Sequence, residues 1–291
     1  MKKRKHIFRI IAGLLLITVT TSLSLCNSYA LCLSKENATG KKLRFYDEQT
    51  KKWYKTNIKK NVKQHDYDWS CLVNDKKKNI IRYQDERYTI RKGIDVSHHN
   101  GTINWKKVKK AGISFAFIRI GYRGYSGKGS LNIDRQFRKN LKNARKAGID
   151  VGVYFFSQAV NRKEALEEAK FVLKTLNGKK LDLPIVYDPE RIVNARARTD
   201  KVSGKQFTKN TLAFCNKIKK AGYETMVYSN MYWEAFLFDM KKIEKYPVWY
   251  ADYKKKPQTP YRFSFWQYTS SGKVKGVPGR VDLNVQFVRK K

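Results

Sequence analysis

The sequence predicts an α/β protein whose last two thirds close into a short barrel. From Gly93 onward, strand-like apolar runs alternate with amphipathic helical segments, the pattern of βα units built around a parallel sheet. Eight such runs occupy about 195 residues, which suits a closed barrel on the short side. The last three runs follow one another with too little chain between them for crossover helices.

The expected strands are Gly93–Val96, Phe115–Ile118, Val151–Phe156, Leu183–Tyr187, Thr225–Tyr228, Val248–Tyr250, Phe263–Trp266 and Val281–Asp282. Between them, Trp105–Ala111 reads as a helix. Phe137, Leu141 and Ala144 share a second helix face, Leu166, Ala169, Leu173 and Leu176 a third, and Phe207, Thr211, Phe214 and Ile218 a fourth, each at helical spacing. Residues 92–291 are therefore read as the barrel. Residues 31–91 are polar and Lys-rich, with β-like pieces at Leu43–Tyr46, Trp53–Thr56 and Ile80–Tyr83. They read as a small N-terminal β-rich extension.

Residues 1–30 read as a targeting segment. Lys2, Lys3, Arg4, Lys5 and Arg9 form a positive start, Ile10–Leu25 is mostly apolar, and Ser28-Tyr29-Ala30 offers small residues to a signal peptidase. The alternative is an uncleaved membrane anchor, since Ile10–Cys26 is near the lower limit of a spanning helix. Either places the chain outside the membrane, secreted or at the cell envelope. The cysteines are Cys26, Cys32, Cys71 and Cys215; a Cys32–Cys71 bridge is compatible with export, leaving Cys215 buried and unbridged.

At 41% hydrophobic and 13% aromatic residues, the 291-residue chain can build a sizeable core and is not a disordered polymer. Its 63 Lys and Arg against 24 Asp and Glu give a formal net charge of +39. Such a surface is drawn to polyanions, whether nucleic acid, anionic wall polymers or lipid headgroups. The basic residues are spread along the whole chain, as a merely solvated surface would have them. No recognised nucleic-acid motif accompanies them, and the exported start argues against a nucleic-acid partner.

In a barrel, chemistry sits where the strands end at their C-terminal edge. Asp95 closes the first expected strand, Asp188 and Glu190 the fourth, and Asp282 the last. In extended chain, Asp188 and Glu190 point the same way, about 6.5–7 Å apart. Carboxylates so placed repel, and one of them stays protonated as an acid. Glycosidic cleavage needs that proton donor beside a negative group. Each carboxylate alone reads more simply as a solvated loop residue; four at one rim favour a catalytic site. Tyr122 with the adjacent Arg123, Tyr154, Tyr187, Tyr228, Trp249 and Trp266 lie at or near strand ends. They are expected to bind substrate, since sugar rings stack on aromatic faces; barrel core is the plainer reading of several.

No metal and no cofactor is expected. His98 and His99 are adjacent and point apart, a poor metal pair. There is no nucleophile elbow, no Gly-rich phosphate loop and no H-E-x-x-H, and Gly121-Tyr122-Arg123-Gly124 lacks the dinucleotide fingerprint.

Several ordered motifs carry a resemblance: Gly93-Ile94-Asp95-Val96-Ser97, Ile118-Arg119-Ile120-Gly121-Tyr122-Arg123, Gly152-Val153-Tyr154-Phe155-Phe156-Ser157, Tyr187-Asp188-Pro189-Glu190, Val227-Tyr228-Ser229-Asn230, Trp249-Tyr250-Ala251, Trp266-Gln267-Tyr268-Thr269-Ser270 and Gly279-Arg280-Val281-Asp282-Leu283-Asn284. From about Lys92 to Phe287 the chain resembles the family 25 glycoside hydrolases, the N-acetylmuramidase lysozymes. The resemblance implies an irregular TIM-like barrel of five βα units followed by three strands. It implies a bacterial peptidoglycan substrate, cut at the β-1,4 bond between N-acetylmuramic acid and N-acetylglucosamine. Glu190 matches the family's proton donor. Asp188 matches the residue that steadies the substrate's acetamido group as that group attacks the anomeric carbon, and Asp95 and Asp282 complete the site. The competing reading is a barrel that holds wall glycan or another polyanion without cutting it; retention of all four carboxylates argues against that.

Overall fold

A computed structural model of the chain describes residues 40–75, 80–193 and 195–290. Two hairpins come first. Strand β1 (Lys42–Asp47) pairs antiparallel with β2 (Lys52–Asn57), and β3 (Leu72–Asp75) with β4 (Ile80–Tyr83). The barrel strands follow as β5 (Tyr88–Val96), β6 (Phe115–Arg123), β8 (Asp150–Ser157), β9 (Ile185–Pro189), β10 (Thr225–Asn230), β11 (Val248–Ala251), β12 (Phe265–Gly272) and β13 (Val281–Arg289). A short β7 (Leu131–Ile133) lies antiparallel on the end of β6. The order β5-β13-β12-β11-β10-β9-β8-β6, together with pairing of β5 to β6, closes an eight-stranded barrel.

The sheet is mixed, where a parallel one was expected. Neighbours are parallel from β5 through β6 and β8 around to β12, but β13 is antiparallel to both β12 and β5. The chain between Gly272 and Val281 is too short for a crossover, so β13 returns as a hairpin. Consequently Asp282 opens its strand, where the sequence had it closing one. An antiparallel strand begins at the rim where its parallel neighbours end, so Asp282 still faces Asp95 directly in register.

Helices α1 (Trp105–Lys110), α2 (Phe137–Lys146), α3 (Arg162–Leu176) and α4 (Gly204–Lys220) connect the parallel strands, with a π-helical turn (Trp233–Leu237) and α5 (Met240–Ile243) between β10 and β11. Their starts are capped: Asn104, Asn161 and Ser203 accept from backbone N–H groups in the first turns of α1, α3 and α4. Phe137, Leu141 and Ala144 are buried on α2, and Phe207, Thr211, Phe214 and Ile218 on α4, as their spacing predicts. The α3 stripe is rotated from expectation. Ala165, Glu168, Ala169, Val172 and Leu176 face inward, while Leu166 and Leu173 are only half-buried. The cause is Glu168, drawn to the barrel wall by Arg123 at 2.8 Å.

Two apolar layers result. Inside the barrel, Phe115, Phe117, Val186, Met226, Trp249 and Phe265 form one cluster; a larger one fills the space outside the strands. Gly93 and Gly152 make room for the inner layer, since a Cβ would lie 2.3 Å from the Phe115 ring and 2.5 Å from the Phe117 ring. The targeting segment, Cys26 and Cys32 lie outside the described residues. Among the described residues no helix is long and apolar enough to cross a membrane, and Cys215 is fully buried on α4.

Candidate active site

Alternation along the barrel strands decides which side chains reach the interior. On β9, Ile185 and Tyr187 join the outer layer, so Val186 and Asp188 face in. On β5, Gly93 and Asp95 face in; on β12, Phe265 and Gln267 do. These inward positions meet at the rim in a cavity of about 360 Å³ that contains Asp95, Asp188, Glu190 and Asp282 together.

The four carboxyl groups form two hydrogen-bonded pairs, Asp188 with Glu190 and Asp95 with Asp282. Glu190 lies just past the end of β9, which closes at Pro189. Asp95 is held from below. Its Oδ2 accepts from Gln267 Nε2 and Asn284 Nδ2, both at 2.8 Å. Asn284 Oδ1 in turn accepts from the Trp249 indole N–H at 2.8 Å, and Gln267 Oε1 accepts from Tyr228 Oη at 3.1 Å and Tyr253 Oη at 2.9 Å. Two amide donors on one carboxylate oxygen favour its charged form.

Burial raises all four groups, and it is the largest cause for each. Asp95 is pushed up to about 6 despite its amide donors. Glu190 rises to about 7, helped by the charge of Asp95 and restrained by its hydrogen bond to Asp188 and by Arg119. Asp282 rises to about 8, with Asp95 and Glu190 adding to burial. Asp188 stands well above the usual carboxylate range, through burial and the charges of Glu190 and Asp95. Its Oδ1 is buried and has no hydrogen-bond partner among the described residues.

These shifts give stability a sign. The folded groups titrate at about 6, 7 and 8, against about 3.9–4.3 in an unfolded chain. The folded state binds more protons through that window, so its stability falls as pH rises from about 4 to about 8. His99, lowered by burial, acts in the opposite sense but is a single group. Thermal melts should therefore give a lower Tm at pH 8 than at pH 5. Asp188→Asn should raise the Tm at pH 8, by about 2–4 °C for each kcal/mol of relieved charge burial. A Tm that is flat or rising across the window would show that these carboxyls are not held as described.

Of the side chains expected to bind substrate, Tyr154, Tyr228 and Trp249 line the cavity. Trp249 stacks on Phe117 at 4.8 Å, and the Tyr154 and Tyr228 rings meet it edge-on at 5.9 and 5.0 Å. Tyr187, Trp266, Arg123 and Tyr122 lie elsewhere. Tyr187 faces the helices, bonding Ser157 Oγ at 2.8 Å and packing on Phe214. Trp266 also faces out, donating to the Asp252 carbonyl. Arg123 is turned outward by an irregularity in β6 pairing between Arg119 and Gly121, which reverses the alternation beyond it. It is buried against Glu168, the Gly129 carbonyl and Glu167. Tyr122 is half-buried under the Arg119 guanidinium at 5.0 Å.

The cavity also contains residues that sequence reasoning missed: Arg119, Gln267 and Tyr253, and Tyr46, Asp47 and Gln49 from the β1–β2 hairpin. Gln267 was legible by alternation, two positions after the inward Phe265. Arg119 stands out as a cation between two isoleucines; it reaches Asp134 at 2.9 Å and His98 Nδ1 at 2.7 Å. His98 is thereby engaged with Asp134 and Arg119, and among the described residues no group of three or more His, Cys, Asp or Glu is arranged to hold a metal ion. The hairpin residues had no signal in the sequence, because their position depends on how residues 40–57 dock.

A family model described as glycosyl hydrolases family 25 matches residues 94–277. Lysozyme M1 of Streptomyces globisporus is 32% identical over 202 residues, which cover 66% of this chain and 66% of that protein. The chain thus spans about two thirds of the length of this relative. Among solved structures, the bacterial lysozyme of Streptomyces coelicolor superposes with a TM-score of 0.56 at 29% identity, covering 67% of this chain and 90% of that one. The modular autolysin LytC of Streptococcus pneumoniae, solved with a synthetic peptidoglycan ligand, gives 0.61 at 26% identity over 84% of this chain and 56% of that one.

Proposed function

The chain belongs to glycosyl hydrolase family 25, and from that membership we propose that it hydrolyses bacterial peptidoglycan at the β-1,4 bond between N-acetylmuramic acid and N-acetylglucosamine. The observation that supports this most directly is the Asp188–Glu190 pair, joined by a hydrogen bond in a cavity it shares with Asp95 and Asp282. Residues 92–291 carry the reaction, and the targeting segment delivers it to the cell envelope. The +39 surface suits anionic wall polymers as a second partner.

Two carboxyls in hydrogen-bond contact share a proton. When a muramic acid ring enters, its acetamido N–H donates to Asp188, whose buried Oδ1 has no other partner among the described residues. Asp188 then becomes the carboxylate and Glu190 keeps the proton. The acetamido oxygen attacks the anomeric carbon as Glu190 protonates the leaving glucosamine oxygen, breaking the glycosidic bond. Water then opens the cyclic intermediate, giving its proton to Glu190 and restoring the acetamido group. Asp95, fixed by Gln267 and Asn284, supplies negative charge near the developing oxocarbenium centre, with Asp282 sharing its hydrogen bond. Tyr154, Tyr228 and Trp249 form the apolar wall against which sugar rings rest.

Mass spectrometry of purified peptidoglycan after digestion tests this reading. Fragments ending in a reducing muramic acid are expected. Fragments ending in a reducing glucosamine would overturn the bond assignment, and binding without release would favour the non-cutting barrel.

A further inference from the structure

The β1–β2 hairpin lies outside the residues matched by the family model, yet it walls one side of the catalytic cavity through Tyr46, Asp47 and Gln49. We infer that this hairpin is part of the glycan-binding surface, and that Trp53 stacks on a sugar of the strand beyond those held at the four carboxyls. The inference rests on the peptidoglycan reading above.

The hairpin is fixed to the barrel at the cavity edge. Tyr46 exchanges two backbone hydrogen bonds with the Gln258 side chain, at 2.8 and 3.1 Å. Glu48 pairs with Lys254 at 3.2 Å, and Asp47 with Arg191, the residue after Glu190, at 3.5 Å. Alternation gives the hairpin two faces. Phe45 is buried and stacks on Tyr54 at 5.7 Å, and Tyr54 meets Tyr232 beneath at 5.3 Å. The outer face carries Arg44, Tyr46 and Trp53.

Trp53 is the cross-strand partner of Tyr46, their rings 5.5 Å apart, so it stands one ring beyond the cavity wall. It keeps 55% of its surface exposed, although it is the largest side chain of the hairpin. The Arg44 guanidinium lies over its ring at 4.5 Å and holds the indole in place. A fixed, exposed indole beside a polar cleft matches what a pyranose ring needs, an apolar face to rest on with its hydroxyls in water. Gln49 adds a second observation. The residue lines the cavity, and its Oε1 is buried and has no hydrogen-bond partner among the described residues. A buried acceptor left unpaired is costly; a sugar hydroxyl or an acetamido N–H would satisfy it.

The test uses the full chain carrying Glu190→Gln, so that glycan is bound without being cut. Its affinity for peptide-free glycan chains of two, four, six and eight sugars is measured by calorimetry. Affinity should rise with length. Adding Trp53→Ala should remove about tenfold of the affinity for the longer chains, and Trp53→Phe, which keeps an aromatic face, should remove less. Thermal melts check that both variants fold, as expected for a side chain that is 55% exposed. Indole fluorescence gives an independent readout: the part of the change that the longer chains produce beyond the change with two sugars, to which Trp249 in the cavity wall also responds, should disappear in Trp53→Ala. Equal affinities for all lengths with and without Trp53 would overturn the inference and leave the peptidoglycan reading standing. Failure of every length to bind any of these proteins would overturn both.

Discussion

Glu190→Gln is expected to lower turnover on peptidoglycan by about two to four orders of magnitude. The amide keeps the shape of the side chain and its place beside Asp188, but it carries no proton to give. Protonation of the leaving oxygen is the step that suffers, so kcat should fall far more than affinity. The pH profile gives the same assignment a second readout. With Glu190 titrating at about 7, activity should decline as pH rises through that value, because the acid is then already ionised. The opposite limb should appear as pH falls below about 6, where Asp95 becomes protonated. In Glu190→Gln the alkaline limb should vanish from the residual rate. Near-native turnover in that variant, or an alkaline limb that survives it, would sink the assignment of Glu190.

The second large effect is a loss of cleavage, by about two orders of magnitude or more, on glycan whose muramic nitrogen has been de-acetylated. The reasoning starts from what the four carboxyls are doing. Asp95 is occupied by two amide donors, and Asp282 is bonded to Asp95. Asp188 is bound to Glu190 itself. Each of the three is thus already engaged by another side chain. Attack by the substrate's acetamido oxygen removes the need for a protein nucleophile. De-acetylation deletes that internal nucleophile, because the amine left behind has no carbonyl oxygen to attack the anomeric carbon. The same mechanism predicts that the first product keeps the β configuration, since two inversions at the anomeric carbon cancel. NMR of early products and digestion of de-acetylated wall check the two outcomes. An α product appearing first, or undiminished cleavage of de-acetylated glycan, would overturn this mechanism while leaving Glu190 as the acid.

Much of the site was legible because its signals are local. A carboxylate at the end of an apolar strand reads as a rim residue, and Asp95 and Asp188 stand there in β5 and β9. Tyr154, Tyr228 and Trp249 were found for the same reason. The failures have separate causes. Choosing aromatics near strand ends ignored parity, so Tyr187 and Trp266 were included although each is one position from the inward residue, Asp188 and Gln267 respectively. Arg123 lay beyond a break in alternation that no local pattern announces.

What the sequence by itself determined is the set of elements and the chemistry they carry: alternating strands and helices from residue 93, carboxylates at strand ends, and a helix-free tail. These are properties of short windows, fixed by side-chain period and by the length of chain between runs. Only the tertiary structure decided the direction of β13, the two hydrogen-bonded carboxyl pairs, the amide cradle under Asp95, and the entry of the β1–β2 hairpin into the cavity wall. Each depends on contacts between residues far apart along the chain, such as Asp95 with Asn284 and Tyr46 with Gln258. Such contacts are set by barrel closure and by docking of the hairpin on its rim. They also place four carboxyls where burial holds them partly protonated, a condition that no single segment of the chain could impose on its own.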